Sequence, residues 1–125
     1  MKPYAIRTTL IAVCALLLTA CALPQIHHNQ LVGLNLGMTP VESERTLQLA
    51  PLSSYPTAVE GVSYTFQRYN LNNGMELSLY LLAFEDNKLK YWGYIEDFRR
   101  HPDKRLVRAL DNVMPAIAAD LRRKK

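Results

Sequence analysis

The stretch Leu10–Cys21 (LIAVCALLLTAC) constrains this chain most, because it decides how much of the chain is left to fold. Lys2 and Arg7 precede it, a nine-residue apolar run occupies Leu10–Leu18, and small residues lead to Cys21. Basic, apolar and small-residue segments in that order are the architecture of a secretory signal peptide. The 13 residues from Thr8 to Ala20 would form roughly 20 Å of helix at about 1.5 Å per residue, short of a hydrocarbon core of ~30 Å. A membrane-spanning helix is therefore not expected. Residues 1–20 read as a removable signal, 21–30 as an anchor and tether, and 31–125 as a single small α+β domain. The 105 residues left after removing 20 from 125 suffice for one modest core.

Leu18-Thr19-Ala20-Cys21 resembles the bacterial lipobox. That resemblance implies cleavage between Ala20 and Cys21, a diacylglycerol on the Cys21 thiol and a further fatty acyl chain such as palmitate on the new amino terminus. Ala22, rather than Asp, after the cysteine resembles the sorting pattern for outer-membrane delivery. The competing readings are a secretory signal with a chance cysteine, or a short buried helix. Cys14 leaves with the signal and Cys21 carries lipid, so no disulfide is expected.

Charge is divided unevenly. Residues 21–98 carry four Lys/Arg against eight Asp/Glu, and residues 99–125 carry nine against three. Arg122, Arg123, Lys124 and Lys125 are candidate partner-binding residues for an anionic surface. Cations at a helix C-terminus are also favoured by the helix dipole, which is the plainer explanation.

Residues 22–30 (ALPQIHHNQ) read as a flexible tether. Adjacent His27 and His28 lack Cys or carboxylate neighbours that would complete a coordination sphere, so no metal is expected. Thr39, Pro40 and Glu42 form a capping box with proline at the first helical position, predicting a helix from Pro40 to about Ala50, ahead of Pro51. Its thin buried side gathers Ser43, Thr46, Leu47 and Ala50.

Leu34-Asn35-Leu36-Gly37-Met38-Thr39, the helix after it and the proline at its exit, close behind Cys21, resemble the SmpA/OmlA (BamE-like) family of small outer-membrane lipoproteins. Gly37, Met38, Thr39 and Leu47 fall in register, whereas Ser43, Gln48 and Pro51 depart from the pattern. The resemblance implies a role in envelope integrity or outer-membrane protein assembly, with an envelope protein as partner.

Residues 52–61 are loop-like, punctuated by Pro56 and Gly61. Three strand-type runs follow, 62–71, 75–84 and 89–98, joined by Asn73-Gly74 and Asp86-Asn87 turns. Two-residue turns would place Val62, Tyr64, Phe66, Leu77, Leu79, Leu81, Trp92 and Tyr94 on one face. The other face would carry Tyr69, Leu71, Tyr80, Leu82, Phe84, Leu89, Tyr91 and Ile95, too apolar to stay uncovered. The stretch 101–125 supplies a candidate cover, a helix from Pro102 with Leu106, Leu110, Val113, Ile117 and Leu121 in its stripe and Pro115 on the opposite side. The expected class is α+β, a two-layer sandwich of short helix, three-stranded antiparallel meander and C-terminal helix.

Glu96, Asp97, His101 and Asp103 are the one cluster able to do acid–base work, and charges at a strand–helix junction more often serve solubility and capping. No nucleophile motif or phosphate loop is present. The chain is therefore expected not to be an enzyme and to use no cofactor. An exported protein has little access to nucleic acid, so the strand aromatics read as core. The expected function is a lipid-anchored binding or scaffolding module, the alternative a lipoprotein that binds or inhibits a periplasmic enzyme or envelope polymer.

Overall fold

The computed structural model describes residues 23–123. Ala20, Cys21, Lys124 and Lys125, and with them the cleavage and lipidation positions, lie outside the described residues. The chain forms a mixed α+β domain on one sheet. Its elements are β1 (Ile26–His27), α1 (His28–Leu31), α2 (Pro40–Leu47), β2 (Ser53–Val59), β3 (Val62–Asn72), β4 (Leu77–Glu85), β5 (Lys88–Gly93), α3 (Ile95–Arg99) and α4 (Lys104–Arg123).

The sheet has five strands rather than the three expected from sequence. β2, β3, β4 and β5 are consecutive antiparallel neighbours, and β1 runs parallel to the end of β3, with Ile26 beside Leu71 and His27 beside Asn72. β2 was hidden by Pro56. A proline removes one ladder donor, but β2 is paired only with β3, and an edge strand tolerates that loss. Glu60-Gly61, both at positive φ (54° and 79°), make the tight turn that joins β2 to β3.

The tether expectation is corrected at the same edge. Ile26 is fully buried and Gln30 donates its side-chain amide to the Leu47 carbonyl, so residues 26–31 belong to the fold. The capping box forms as the spacing predicts: Glu42 N donates to Thr39 Oγ1 at 3.2 Å and Thr39 N to Glu42 Oε1 at 3.0 Å. The helix ends at Leu47, earlier than Ala50, because Gln48 turns left-handed (φ 57°). Ser43 and Leu47 are its buried residues.

The turns decide which side chains share a face. The β3–β4 loop spans Asn73–Glu76, closed by Asn73 N donating to Glu76 O at 3.2 Å, so Asn72 pairs with Leu77. This moves the register two residues from a two-residue turn, and an even shift leaves every side chain on its predicted face. After Asp86-Asn87 the register slips by one, with Phe84 opposite Leu89 but Ala83 opposite Tyr91. That bulge at Lys90 exchanges the last aromatic residues: Tyr91 and Ile95 join Tyr64, Phe66 and Leu81, while Trp92 and Tyr94 join Tyr69, Tyr80 and Leu82.

Both faces are covered. α4 lays Leu106, Ala109, Leu110, Val113 and Ile117 over Tyr55, Tyr64, Phe66 and Leu81. Leu121, predicted in the stripe, is exposed, and Pro115 faces solvent as the spacing predicts. Ile26, Leu34 and Leu47 cover Tyr69, Leu71, Tyr80 and Leu82 on the opposite face. Gly37 (φ 89°) lets the loop before α2 turn back onto β5, where Gly37 N donates to Leu89 O at 2.8 Å and Leu89 N to Met38 O at 2.7 Å.

Candidate functional site

The acidic cluster at the β5–α4 junction is absorbed by backbone caps. The chain leaves β5 at Gly93 and enters α3, with Tyr94 N donating to Asp97 Oδ2 at 3.0 Å. His101 Nδ1 accepts from Asp103 N at 3.0 Å, and its ring meets Tyr91 edge-on with centroids 4.5 Å apart. Asp103 caps α4, its Oδ1 accepting from Arg105 N at 3.0 Å and Leu106 N at 3.3 Å. The helix consequently starts at Lys104, two residues later than the proline predicts. Burial works to raise the Asp103 carboxyl, but the Leu106 amide, Lys90 and the Arg105 amide together hold it below the usual carboxylate range. Glu96 sits 4.0 Å from Arg100 on an exposed helical turn.

Beside these caps lies a half-buried ionic group. Lys90 Nζ is 3.4 Å from both Glu85 Oε2 and Asp103 Oδ2. Arg105 Nε donates to the Tyr64 hydroxyl at 2.9 Å, and that hydroxyl donates to Glu85 Oε2 at 3.2 Å. Burial works to lower Lys90, and the two carboxylates outweigh it and raise it. Each carboxylate of this group meets a cation, a hydroxyl or a backbone amide. The arrangement fastens the start of α4 to the end of β4.

A second polar tie holds the other end of α4. The Tyr55 hydroxyl donates to Asp120 Oδ2 at 2.7 Å and accepts from Arg68 Nε at 3.2 Å. Arg68 is only 3% exposed. The Tyr55 hydroxyl, ahead of Arg123, holds Asp120 below its usual range. Sequence reading missed this site because Tyr55 fell in a supposed loop. Its one signal was the alternation of Tyr55, Thr57 and Val59 ahead of a Glu60-Gly61 turn.

The basic residues that sequence groups as one tail are divided between the two ends of α4. Arg99, Lys104 and Arg108 line an open groove of about 490 Å³ with His101 and Pro102, and Arg108 pairs with Glu60 at 3.1 Å. Arg122 and Arg123 are exposed at the far end, about 27 Å along the helix from Lys104 at 1.5 Å per residue. Arg123 pairs with Asp120.

His27 and His28 are both exposed, and among the described residues no group of three or more His, Cys, Asp or Glu could hold a metal ion. No helix among the described residues is long and apolar enough to cross a membrane. Exposed large apolar side chains among the described residues include Met75 (97% exposed) in the β3–β4 loop, Leu23 ahead of β1, and Val32, Leu36 and Val41 before and at the start of α2. Comparison with models of known protein families, with characterised proteins and with solved structures finds no match.

Proposed function

We propose that this protein is an outer-membrane-anchored bacterial lipoprotein whose periplasm-facing domain works as a binding or scaffolding module in envelope integrity or outer-membrane protein assembly. The observation that carries this reading is the shortness of the link to the lipobox cysteine. Ile26 is buried in the sheet five residues after Cys21, and five residues reach at most about 18 Å. A lipid on Cys21 therefore keeps the domain against the membrane instead of letting it roam on a long leash. At each end of α4 the charged side chains are tied to partners within their own cluster, which supports a surface that binds over a pocket that reacts. Val32, Leu36 and Val41, exposed within ten residues of chain, supply apolar surface for a protein partner. They lie in or beside the segment that resembles the SmpA/OmlA family.

The test is crosslinking in intact envelopes, with membranes separated and the captured partners identified. Outer-membrane fractionation with a barrel-assembly complex supports the reading. Capture of one soluble enzyme or of peptidoglycan instead would replace it with the alternative function, and inner-membrane fractionation would overturn the sorting part alone.

A further inference from the structure

Three features lie toward one end of the sheet. The first is the anchor: Leu23 and Gln25 line an open groove with Asn72, Met75, Glu76 and Leu77, and Cys21 is two residues before Leu23. Two residues span at most about 7 Å, which bounds the distance between the proposed lipid attachment and Leu23 at the β3–β4 hairpin tip.

The second is the tip itself. Met75 is 97% exposed, with Leu23 at 66% and Leu77 at 38% nearby. The loop that presents Met75 is held by its own side chains: Asn73 Oδ1 accepts from Met75 N at 3.2 Å and Glu76 N at 3.0 Å, and Asn72 Oδ1 accepts from Gly74 N at 2.8 Å. Gly74 supplies the positive φ (94°) that this turn needs. A fastened loop thus holds a large apolar side chain out where it contributes nothing to the core.

The third is charge. Arg105 contacts Tyr64 near the start of β3, and Asp120 contacts Tyr55, whose neighbour Arg68 lies further along β3. α4 therefore runs in the same sense as β3, and Arg122 and Arg123 lie toward the end where β3 turns into the hairpin. Lys124 and Lys125 follow them in sequence. Glu76 in the tip and Asp120, paired with Arg123, are the acidic residues set against them.

We infer that this end is a membrane-docking face, with Met75, Leu23 and Leu77 seated at the headgroup–acyl boundary of a phospholipid leaflet beside Cys21 and the arginines over its headgroups. The inference rests on the lipidation proposed above and adds an orientation to it. An apolar contact beside an acyl anchor, with cations above anionic headgroups, combines the signals by which peripheral proteins hold to a bilayer. The Glu85–Lys88 end of the sheet then points away from the membrane, free for a protein partner.

The test uses the full chain, purified with its lipid and reconstituted into phosphatidylcholine vesicles with and without phosphatidylserine. Met75→Cys and, at the opposite end, Lys88→Cys each add the only free thiol of the mature lipidated protein, for an environment-sensitive fluorophore. Flotation of the vesicles reports the anchor separately. The expected result is a blue shift and quenching by brominated acyl chains at position 75 and neither at position 88, with the shift at 75 larger when phosphatidylserine is present. A floating protein whose label at 75 stays in water would overturn the docking face while leaving the lipid anchor standing, and would make the tip a protein-binding element. A protein that does not float would overturn both.

Discussion

Replacing Tyr55 by Phe removes one hydroxyl from the joint between α4 and the sheet and leaves its packing intact. On one side that hydroxyl accepts from Arg68 Nε at 3.2 Å, and on the other it donates to Asp120 Oδ2 at 2.7 Å. Arg68 and Tyr55 are 3% and 6% exposed, so water cannot take the lost acceptor's place at the guanidinium. Asp120 keeps Arg123 and rehydrates. A hydrogen bond to a charged group contributes about 1.5–3 kcal/mol, and counting the Arg68 bond alone puts the cost near 2 kcal/mol. For a domain of this size each 1 kcal/mol moves Tm by roughly 4–8 °C, so the variant should melt roughly 8–16 °C lower. Tyr64→Phe is the control, since its hydroxyl also meets two charged partners, Arg105 and Glu85, but their side chains are 35% and 20% exposed and water can substitute. Thermal and urea melts followed by circular dichroism measure both. A Tyr55→Phe protein within about 0.5 kcal/mol of wild type, or one no weaker than Tyr64→Phe, would refute the reasoning that burial of Arg68 makes this joint expensive to break.

Thr39→Ala removes the acceptor for Glu42 N and should cost about 0.5–2 kcal/mol in urea melting; unchanged melting with lost partner capture would make Thr39 a contact residue instead. Asp103, Asp120 and Glu42 are all held below their ordinary values, so their stabilisation is present above an unfolded pKa of about 4 and lost as pH falls below it. The urea midpoint should drop between about pH 4 and pH 2, and a flat profile there would contradict it. Burial raises Tyr69 and takes Tyr80 up to about 12, so stability should also decline as pH rises above about 10, where the unfolded chain ionises first. A chain stopped after Leu121 should melt within about 0.5 kcal/mol of wild type yet bind anionic vesicles less at low salt and with less salt sensitivity, whereas equal binding would leave the basic residues as a solvated helix end.

What was legible in the sequence was whatever one or two neighbouring residues decide. Thr39, Pro40 and Glu42 hold their helix start in a single turn of chain, and the alternation along 62–71 and 75–84 identifies strands whatever they pair with, although Met75 and Glu76 belong to the loop. The bulge at Lys90 was not legible, because a one-residue slip depends on how β5 meets β4 and on the pairing of Lys90 with Glu85 and Asp103. β2 was lost to Pro56, which reads as loop until an edge position makes its missing donor harmless. The tether reading failed at Ile26 for a related reason: in a polar segment a lone apolar residue carries no periodicity, and only the vacant edge beside Leu71 gives it a place. The pairing of Tyr55 with Asp120, 65 residues apart, has no local signature. That the arginines lie toward the same end of the sheet as Leu23 and Met75 follows only once the direction of α4 is known.

The measurement that bears most directly on the anchor is the intact mass of the mature protein extracted from envelopes. The expected species begins at Cys21, lacks residues 1–20, and carries a diacylglycerol and one further acyl chain. A chain that retains residues 1–20, or one that begins at Cys21 with an unmodified thiol, would contradict the lipoprotein reading and with it the membrane-facing end of the sheet.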